Sequence, residues 1–233
     1  YKRGDYLIYA LSDTHLDGGK NKPMDVFSDS WIDHKQKIQL NWERIVKDED
    51  TVLVAGDISW AMKLEEAIPD LEFIDSLPGQ KILSRGNHDY WWSGLKKMND
   101  LNLKTIKFLQ NNSYSVEGYE IAGSRIWLDD TSKEYEENDK KITDREIIRS
   151  KLSLDTCKRG RPIIAMLHYP PFDNNKQPNV YAKILEEYNV EVCIYGHLHA
   201  NGHQNAVEGN INGVEYFLTS CDFINFTRVI IRR

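Results

Sequence analysis

The sequence lacks the features that mark disulfide-rich, membrane-spanning or nucleic-acid-coating proteins. It has only three cysteines, Cys157, Cys193 and Cys221, with no CxxC pair, which excludes a disulfide framework or zinc knuckle and favours free thiols in a reducing cytosol. No apolar run approaches the length of a membrane span. The formal net charge of −6 argues against stable binding to nucleic acid or an anionic membrane, because such binding needs an excess of Lys and Arg.

Internal repeats, low-complexity tracts and obvious linkers are also missing. We therefore expect one domain over residues 1–233, which is long enough to bury a core. The N-terminal residues lead almost directly into the first predicted strand, so we expect no signal peptide and a cytoplasmic location. The sequence contains no indication of the oligomeric state.

Short apolar runs alternate with longer stretches of helical spacing. Buried strands are predicted at residues 6–11, 51–55, 81–84, 162–167 and 190–195. Helices are predicted at residues 30–46, 58–77, 129–158 and 179–188, with a further helix and a short strand within 95–112. Other strands are predicted at 113–116, at 119–122 with 125–128 as its continuation, and at 214–220 and 227–231 as a hairpin or meander. This alternation predicts an α/β fold.

Side chains that can bind a metal follow five of the predicted strands. They are Asp13 and His15, then Asp57, then Asn87 and His88, then His168, and finally His197 and His199. Each position alone could be a polar turn that merely ends a strand, but five such turns are too many to be accidental. Because the carboxyl ends of strands in open α/β sheets face one crevice, we expect these side chains to converge.

The ligand types indicate which ions such a site prefers. Mixed nitrogen and oxygen ligands suit Mn²⁺, Fe or Zn²⁺ better than Ca²⁺ or Mg²⁺, and no thiolate is offered. With two divalent ions the site would stay positive after neutralisation by Asp13 and Asp57, so it should attract a phosphate dianion. A metal pair lowers the pKa of the water between the ions and clamps the attacking and leaving oxygens of an in-line displacement.

The motifs DTH, GD, GNHD, the His of MLHYPP and GHLH, in this order, closely resemble the five blocks of the calcineurin-like metallophosphoesterase superfamily. The resemblance spans residues 13–199 and implies a four-layer αββα sandwich, with two β-sheets packed face to face and helices on the outer faces. It implies that one ion is held by Asp13, His15, Asp57 and His199, and the second by Asp57, Asn87, His168 and His197. His88 would assist the leaving group as a metal-bridging hydroxide attacks phosphorus, and Asp89 would orient His88.

The chain departs from the protein Ser/Thr phosphatases of that superfamily at two positions. Asp57 is followed by Ile58-Ser59 where those enzymes have an Asp-Arg pair, and Asp89 replaces their Glu. The chain is more similar to the bacterial phosphohydrolase branch, so we expect a small-molecule phosphate ester as substrate. Alternatives are a diesterase acting on nucleotides or cyclic nucleotides and, less favoured, a protein phosphatase or an inactive scaffold.

Several residues near these blocks allow two interpretations. The aromatic residues Trp60, Tyr90, Trp91 and Trp92 could stack a nucleobase or fill the core, and the cations Arg85, Arg125 and Lys176 could contact phosphate or lie on the surface. His34 is expected to be solvated, and His203 to lie on the surface or beside the ligands. The polar loop Asp17–Asp29 is long enough to form a rim or flap over the metals.

Overall fold

Two mixed β-sheets form the centre of the protein, seen here in a computed structural model that describes residues 6–18, 22–128 and 130–232. Within these residues the first sheet has the spatial order β11 (Val229–Arg232), β1 (Ile8–Leu11), β2 (Thr51–Ala55), β3 (Gln80–Ser84) and β4 (Ile106–Leu109). The second has the order β5 (Tyr114–Val116), β6 (Tyr119–Ser124), β7 (Ile163–Leu167), β8 (Val192–Tyr195), β10 (Val214–Leu218) and β9 (Gly209–Ile211). Strands β1–β4 run parallel, as do β6, β7, β8 and β10, while β11, β5 and β9 are antiparallel edges.

The two sheets pack face to face through a fully apolar layer. Leu53 and Ala55 of β2 lie in one cluster with Ile164 and Met166 of β7, and all four are inaccessible to solvent. Both strands are buried along their whole length, as their continuous apolar sequences predict. This layer brings the carboxyl ends of the two sets of parallel strands to a common edge.

Helices cover the outer face of each sheet. They are α1 (His34–Ile45), α2 (Leu64–Ser76), α3 (Leu95–Asn99), α4 (Asp139–Asp155) and α5 (Val180–Glu187), with 3₁₀ turns at Asp29–Trp31 and Ala200–Asn205. Trp42 of α1 and Leu71 of α2 pack on the first sheet, and Tyr181 of α5 packs on the second. Three apolar clusters thus separate four layers, which confirms the predicted αββα sandwich. Across the described chain, no helix combines the length and apolarity needed to span a membrane.

The helix predicted over residues 58–77 begins later than expected. Its first residues are extended, because the backbone N–H groups of Ile58 and Ser59 donate to the Asp89 carboxylate at 2.9 and 3.1 Å. Met62, expected to face inward, is 57% exposed. The spacing of apolar residues could not predict this later start, since the Asp89 carboxylate lies 30 residues from Ser59 in the chain.

Two other predicted boundaries are wrong because of left-handed backbone. The helix predicted over residues 30–46 is divided into a 3₁₀ turn and α1, with Asp33 at a φ of 54° between them. The predicted continuation of β6 over 125–128 fails in the same way, because Ile126 has a φ of 54°. In the predicted helical stretch 129–158, residue 129 lies outside the described residues and the remainder contains α4.

The predicted pairing of residues 214–220 with 227–231 is also wrong, because the two strands belong to different sheets. Strand β10 pairs with β8 and β9 in the second sheet, whereas β11 pairs with β1 in the first. The connection crosses between the sheets beside the end of β1, where Ser12 N donates to Thr219 O at 2.8 Å and Cys221 N donates to Ser12 O at 3.1 Å. This crossing places the residues after β10 next to the strand ends of the first sheet.

Candidate metal centre

The seven predicted ligand residues lie together at the common edge of the two sheets. The first sheet contributes Asp13, His15, Asp57 and Asn87 after β1, β2 and β3, and the second contributes His168, His197 and His199 after β7 and β8. Four of these residues, Asp13, His15, Asp57 and His168, are buried, as expected for ligands that face an internal site rather than solvent.

One group of ligand atoms comes from Asp13, His15 and His199, which all lie within 4.8 Å of one another. His15 Nε2 is 3.3 Å from His199 Nε2, and His199 Nε2 is 3.5 Å from Asp13 Oδ1. Asp57 Oδ2 lies at the edge of this group, 3.9 Å from His15 Nε2. These residues match the first ligand set implied by the sequence.

A second group surrounds the Asn87 amide. Asn87 Oδ1 is 2.7 Å from His168 Nε2 and 3.0 Å from His197 Nδ1. His168 Nε2 is also 3.3 Å from Asp57 Oδ2. The same Asp57 oxygen therefore faces both groups.

These distances fit a transition-metal centre. Ligands bound at about 2.0–2.1 Å around one ion are about 3.0–3.4 Å apart in octahedral or tetrahedral geometry. His15 Nε2 and His199 Nε2 face each other at 3.3 Å, with Asp13 Oδ1 and Asp57 Oδ2 beside them. This convergence of nitrogen and carboxylate oxygen donors suits a transition-metal ion.

The backbone at the candidate ligands is strained. Asp13, His15, Asp57 and His197 all have positive φ, at 58°, 44°, 51° and 72°. Left-handed backbone at a residue with a side chain costs on the order of 1 kcal/mol. Asp13 N donates to Gly56 O at 2.9 Å and His15 N to Asp57 O at 3.0 Å, which holds the strained segments in place. Strain of this kind clusters at functional sites rather than at ordinary strand ends.

Two motif glycines allow the backbone to approach the ligand carboxylates. A Cβ on Gly86 would clash with the Asp57 carboxylate, and one on Gly196 would clash with that of Asp13. The free space lets His88 N donate to Asp57 Oδ1 at 2.8 Å. The group that a Cβ at position 86 would meet is thus a candidate ligand.

The two ligand carboxylates are ionised. Burial by itself raises the pKa of Asp13, but the imidazoles of His199 and His168 outweigh burial and hold that pKa well below its usual range. Burial likewise raises the pKa of Asp57, and His168 outweighs it and lowers the pKa to about 2. Both carboxylates can therefore bind a cation at any physiological pH.

The four imidazoles divide into two classes. Burial lowers the pKa of His15 to about 4 and that of His197 to about 3, which leaves their nitrogen lone pairs free for a metal. Burial also acts on His168 and His199, but the ligand carboxylates outweigh it and raise their pKa values to about 9 and about 10. Protonation of these two imidazoles is thus favoured by the carboxylates beside them.

Asp89 lies in the loop after β3, next to His88. Its buried carboxylate accepts hydrogen bonds from Gly86 N at 2.7 Å, Ile58 N at 2.9 Å and Trp91 Nε1 at 2.9 Å. These hydrogen bonds do not include the His88 ring, and the role of Asp89 in orienting His88 stays a prediction. Asp89 ties together the loops that follow β2 and β3, and burial, with a contribution from Asp57, raises its pKa to about 6.

His88 lies beside the ligand groups and is half-buried. Its ring centroid is 4.5 Å from that of Trp60 and 5.9 Å from that of His15, whose ring is stacked on Trp60 at 4.9 Å. Trp60 is therefore at the site, and Tyr90, 55% exposed, lies 6.5 Å from the His88 ring. Burial lowers the pKa of His88.

Asp222 is a functional residue that the sequence interpretation missed. His199 Nδ1 donates to Asp222 Oδ1 at 2.8 Å, which fixes the tautomer that exposes Nε2 to Asp13. Asp222 Oδ2 lies 3.2 Å from His203 Nε2, so His203 is beside the ligands. The available signal was a carboxylate after an apolar strand, as at the other blocks, but Asp222 follows no glycine.

Some of the remaining predicted residues belong to the core or surface. Trp91 is buried, and Trp92 packs edge-on against Phe108, which confirms that these aromatic residues fill the core. Lys176 is exposed, which confirms that it lies on the surface. The prediction for His34 is wrong, because its Nε2 lies 3.3 Å from the backbone oxygen of His15. Packing of α1 against the strand end, which spacing does not reveal, brings this histidine inward.

Two clefts open beside the ligand groups. The first, of about 240 Å³, is mainly apolar and is lined by Met24, Phe27, Trp31 and Trp60 together with His15, His88 and His199. The second, of about 370 Å³, is more polar and includes Tyr169, Asn179, His197 and His199. Of the predicted rim Asp17–Asp29, residues 19–21 lie outside the described residues, and residues farther along form a wall of the apolar cleft.

Comparison with known proteins agrees with this geometry. The sequence profile of the calcineurin-like phosphoesterases matches residues 6–201. An uncharacterised protein of Methanocaldococcus jannaschii is 33% identical over 87 residues, which are 35% of this chain and 46% of that protein. The chain thus spans about half the length of this curated relative.

Solved structures share the fold at low identity. The phosphopantetheinyl hydrolase of Mycobacterium tuberculosis has a TM-score of 0.57 at 14% identity, over 97% of this chain and 96% of that one. A protein of unknown function from Aquifex aeolicus has a TM-score of 0.50 at 19% identity, over 97% and 95%. The profile covers most of the chain and all five motifs, which confirms the predicted family. The chain belongs to the calcineurin-like phosphoesterase family.

Proposed function

We propose that this chain hydrolyses small-molecule phosphate esters with two divalent transition-metal ions, Mn²⁺ among those it accepts. The observation that carries the proposal is the position of Asp57 Oδ2, 3.9 Å from His15 Nε2 and 3.3 Å from His168 Nε2, between two groups of ligand atoms. Asp57 would bridge the ions, with Asp13, His15 and His199 on one side and Asn87, His168 and His197 on the other.

The protein's own residues would bind the ester and handle the leaving-group proton. When bound, a pair of divalent ions supplies an activated water and neutralises charge on the phosphoryl oxygens. His88 lines the apolar cleft beside the ligand groups, where it would donate a proton to the departing oxygen. Because burial lowers its pKa, the His88 imidazolium is a stronger acid toward an alkoxide than an exposed histidine.

Hydrolysis of phosphodiesters is the second candidate, and the two clefts favour it. A monoester has one organic group, whereas a diester has two, and the ligand groups lie between an apolar and a polar cleft. Since His88 lines the apolar cleft, the leaving alcohol would occupy that cleft and the retained group the polar one. Relative rates on p-nitrophenyl phosphate and bis(p-nitrophenyl) phosphate distinguish the two activities.

We also propose that the chain works as a single domain in the cytoplasm, without stable nucleic-acid or membrane partners. The three free thiols and the formal charge of −6 support this proposal. The polar cleft, of about 370 Å³, has the volume of a small-molecule site, which supports a low-molecular-weight substrate over a protein.

Removal of metal tests the proposed activity. We expect chelation to abolish hydrolysis, Mn²⁺ to restore it, and elemental analysis to find two ions per active chain. Asp57→Asn should reduce activity more than His15→Asn, because Asp57 faces both ligand groups and His15 only one. Full activity in a preparation shown to be metal-free would contradict the proposal, and one ion at full activity would contradict its two-ion form.

A further inference from the structure

A separate cavity of about 260 Å³ lies beside the carboxyl ends of β3, β4 and β6 and shares no lining residue with the two clefts. Three arginines line it: Arg85 after β3, Arg125 after β6 and Arg149 on α4. Their convergence from three elements makes this cavity different from an exposed patch of surface cations.

The cavity carries excess positive charge. Among its lining residues the one carboxylate is that of Glu146, which is buried. Arg149 Nη1 donates to Glu146 Oε1 at 2.7 Å, and Arg125 Nη2 lies 3.6 Å from the same oxygen. One carboxylate therefore faces three guanidinium groups, and the cavity retains a net charge of about +2 at neutral pH.

Arg85 makes no hydrogen bond or ion pair within the described chain, and its Nε is buried without a partner, as is the Nε of Arg125. Burial and the nearby Arg125 lower the pKa of Arg85, although the carboxylates of Asp89 and Glu146 act in the opposite direction. Its guanidinium group at the cavity wall is therefore available to pair with an anion from outside the chain.

The chemistry of the cavity selects the anion. Guanidinium groups bind oxyanions through paired N–H donors, and phosphate offers several oxygens to more than one arginine at once. Ser93, Gln110 and Asn111 line the same cavity and add neutral polar groups for the remaining oxygens. We propose that this cavity binds a phosphate group, free or carried by a small metabolite, at a site distinct from the metal centre.

Calorimetric titration of the metal-loaded protein with inorganic phosphate tests this proposal. We expect two phosphate sites per chain, one at the metal centre and one in the arginine cavity. Arg149→Gln should weaken one site about tenfold or more, the usual effect of losing a charged hydrogen bond. Lys151→Gln is the matched control, since it removes the same charge from the same helix outside the cavity and should preserve both sites.

Glu146→Gln provides a second test, in which phosphate binding should become tighter rather than weaker. This variant tests the proposal if Arg149→Gln fails to fold. It removes the competing carboxylate, so it should tighten the cavity site while leaving the other unchanged. A titration with methylphosphonate distinguishes a phosphate group carried by a metabolite from free phosphate. Affinity equal to that of inorganic phosphate would show that the cavity accepts a phosphate group with one substituted oxygen. Much weaker binding of methylphosphonate would show that the cavity binds free phosphate. A single phosphate site in the wild-type chain, or equal losses in Arg149→Gln and Lys151→Gln, would overturn the proposal.

Discussion

At the residue scale, His88 combines a titratable ring with a position just outside the ligand groups. Its ring packs 4.5 Å from Trp60 on the wall of the apolar cleft. We expect His88→Asn to retain metal and to slow hydrolysis of alkyl phosphates by about 10²–10⁴-fold, because an alkoxide needs a proton to leave. The loss with p-nitrophenyl phosphate should be much smaller, since its leaving group is stable as an anion.

The comparison of the two esters is valid when the chemical step, rather than product release, limits the rate of hydrolysis of both. Metal content measured on the same samples provides the control. Equal losses on the two esters would indicate that His88 stabilises charge on the phosphoryl group instead. Loss of an ion from His88→Asn would show that His88 is itself a ligand.

Asp222 contacts the candidate ligand His199. The 2.8 Å hydrogen bond to His199 Nδ1 holds the ring so that Nε2 faces Asp13. Loss of such a partner typically costs 10–100-fold in metal affinity or activity. We therefore expect Asp222→Asn to weaken metal binding by roughly 10–100-fold, measured by competition with a chelator. The exposed Asp144→Asn removes one charge from α4 and should have no effect on affinity.

At the element scale, the segment before α1 determines the shape of the apolar cleft. Met24, Phe27 and Trp31 line the cleft, and Met24 Sδ accepts a hydrogen bond from Trp60 Nε1 at 3.2 Å. Met24 and Trp31 also belong to the core of the first sheet, whereas Phe27 is 67% exposed at the cleft. We therefore expect Phe27 to be the residue of this segment that contacts the substrate.

We expect Phe27→Ala to raise the KM for esters with apolar leaving groups several-fold, with little change in kcat or metal content. Removing the ring deletes part of the apolar wall while leaving the ligand residues intact. Val26→Ala is the matched control, because Val26 is 72% exposed and does not line the cleft. Unchanged kinetics in Phe27→Ala across several esters would remove the segment from substrate binding.

The sequence predicts the presence of strands and helices better than the residues at which they begin and end. Buried strands such as β2 and β7 are evident from continuous apolar runs, and the ligands directly follow them. The late start of α2 depends on Asp89, and the separation of β10 from β11 depends on pairing with distant strands. Local spacing contains no information on such contacts, which form only when the two sheets pack.

The same limit applies to the site. Its candidate ligands share a recognisable pattern, strand followed by polar turn, which predicts them as a set although each position alone is ambiguous. Asp222 and His34 reach the site through the crossing after β10 and the packing of α1, so their roles depend on the tertiary fold. The hydrogen bonds of Asp89 come from residues that local spacing does not identify, such as Ile58, and its role in orienting His88 stays a prediction.

At the scale of the whole molecule, the buried Lys81 links stability to pH. Its Nζ donates to the backbone oxygen of Leu77 and to Thr105 Oγ1 at 3.0 Å, and burial lowers its pKa to about 8. The pKa of an unfolded lysine is about 10.4. Between these values the unfolded chain binds more protons than the folded one, so this lysine makes stability rise with pH.

We expect the free energy of unfolding of the wild type, relative to Lys81→Met, to rise by roughly 1–3 kcal/mol between pH 8 and pH 10. The measurement is denaturant unfolding of both chains at several pH values. The difference is needed because burial raises the pKa of the Cys193 and Cys221 thiols, which lowers stability over the same range in both proteins. A difference that does not change with pH would contradict the prediction.

The candidate ligands come from both sheets, so metal binding should lengthen the lifetime of the folded state. Asp57 and Asn87 follow strands of the first sheet, while His168 and His197 follow strands of the second. Ions held by all four would cross-link the two halves of the sandwich at one edge, so the halves could separate only after coordination was lost. Metal loading would then act mainly on the rate of unfolding, and the filled enzyme would persist in its native form far longer than the empty one.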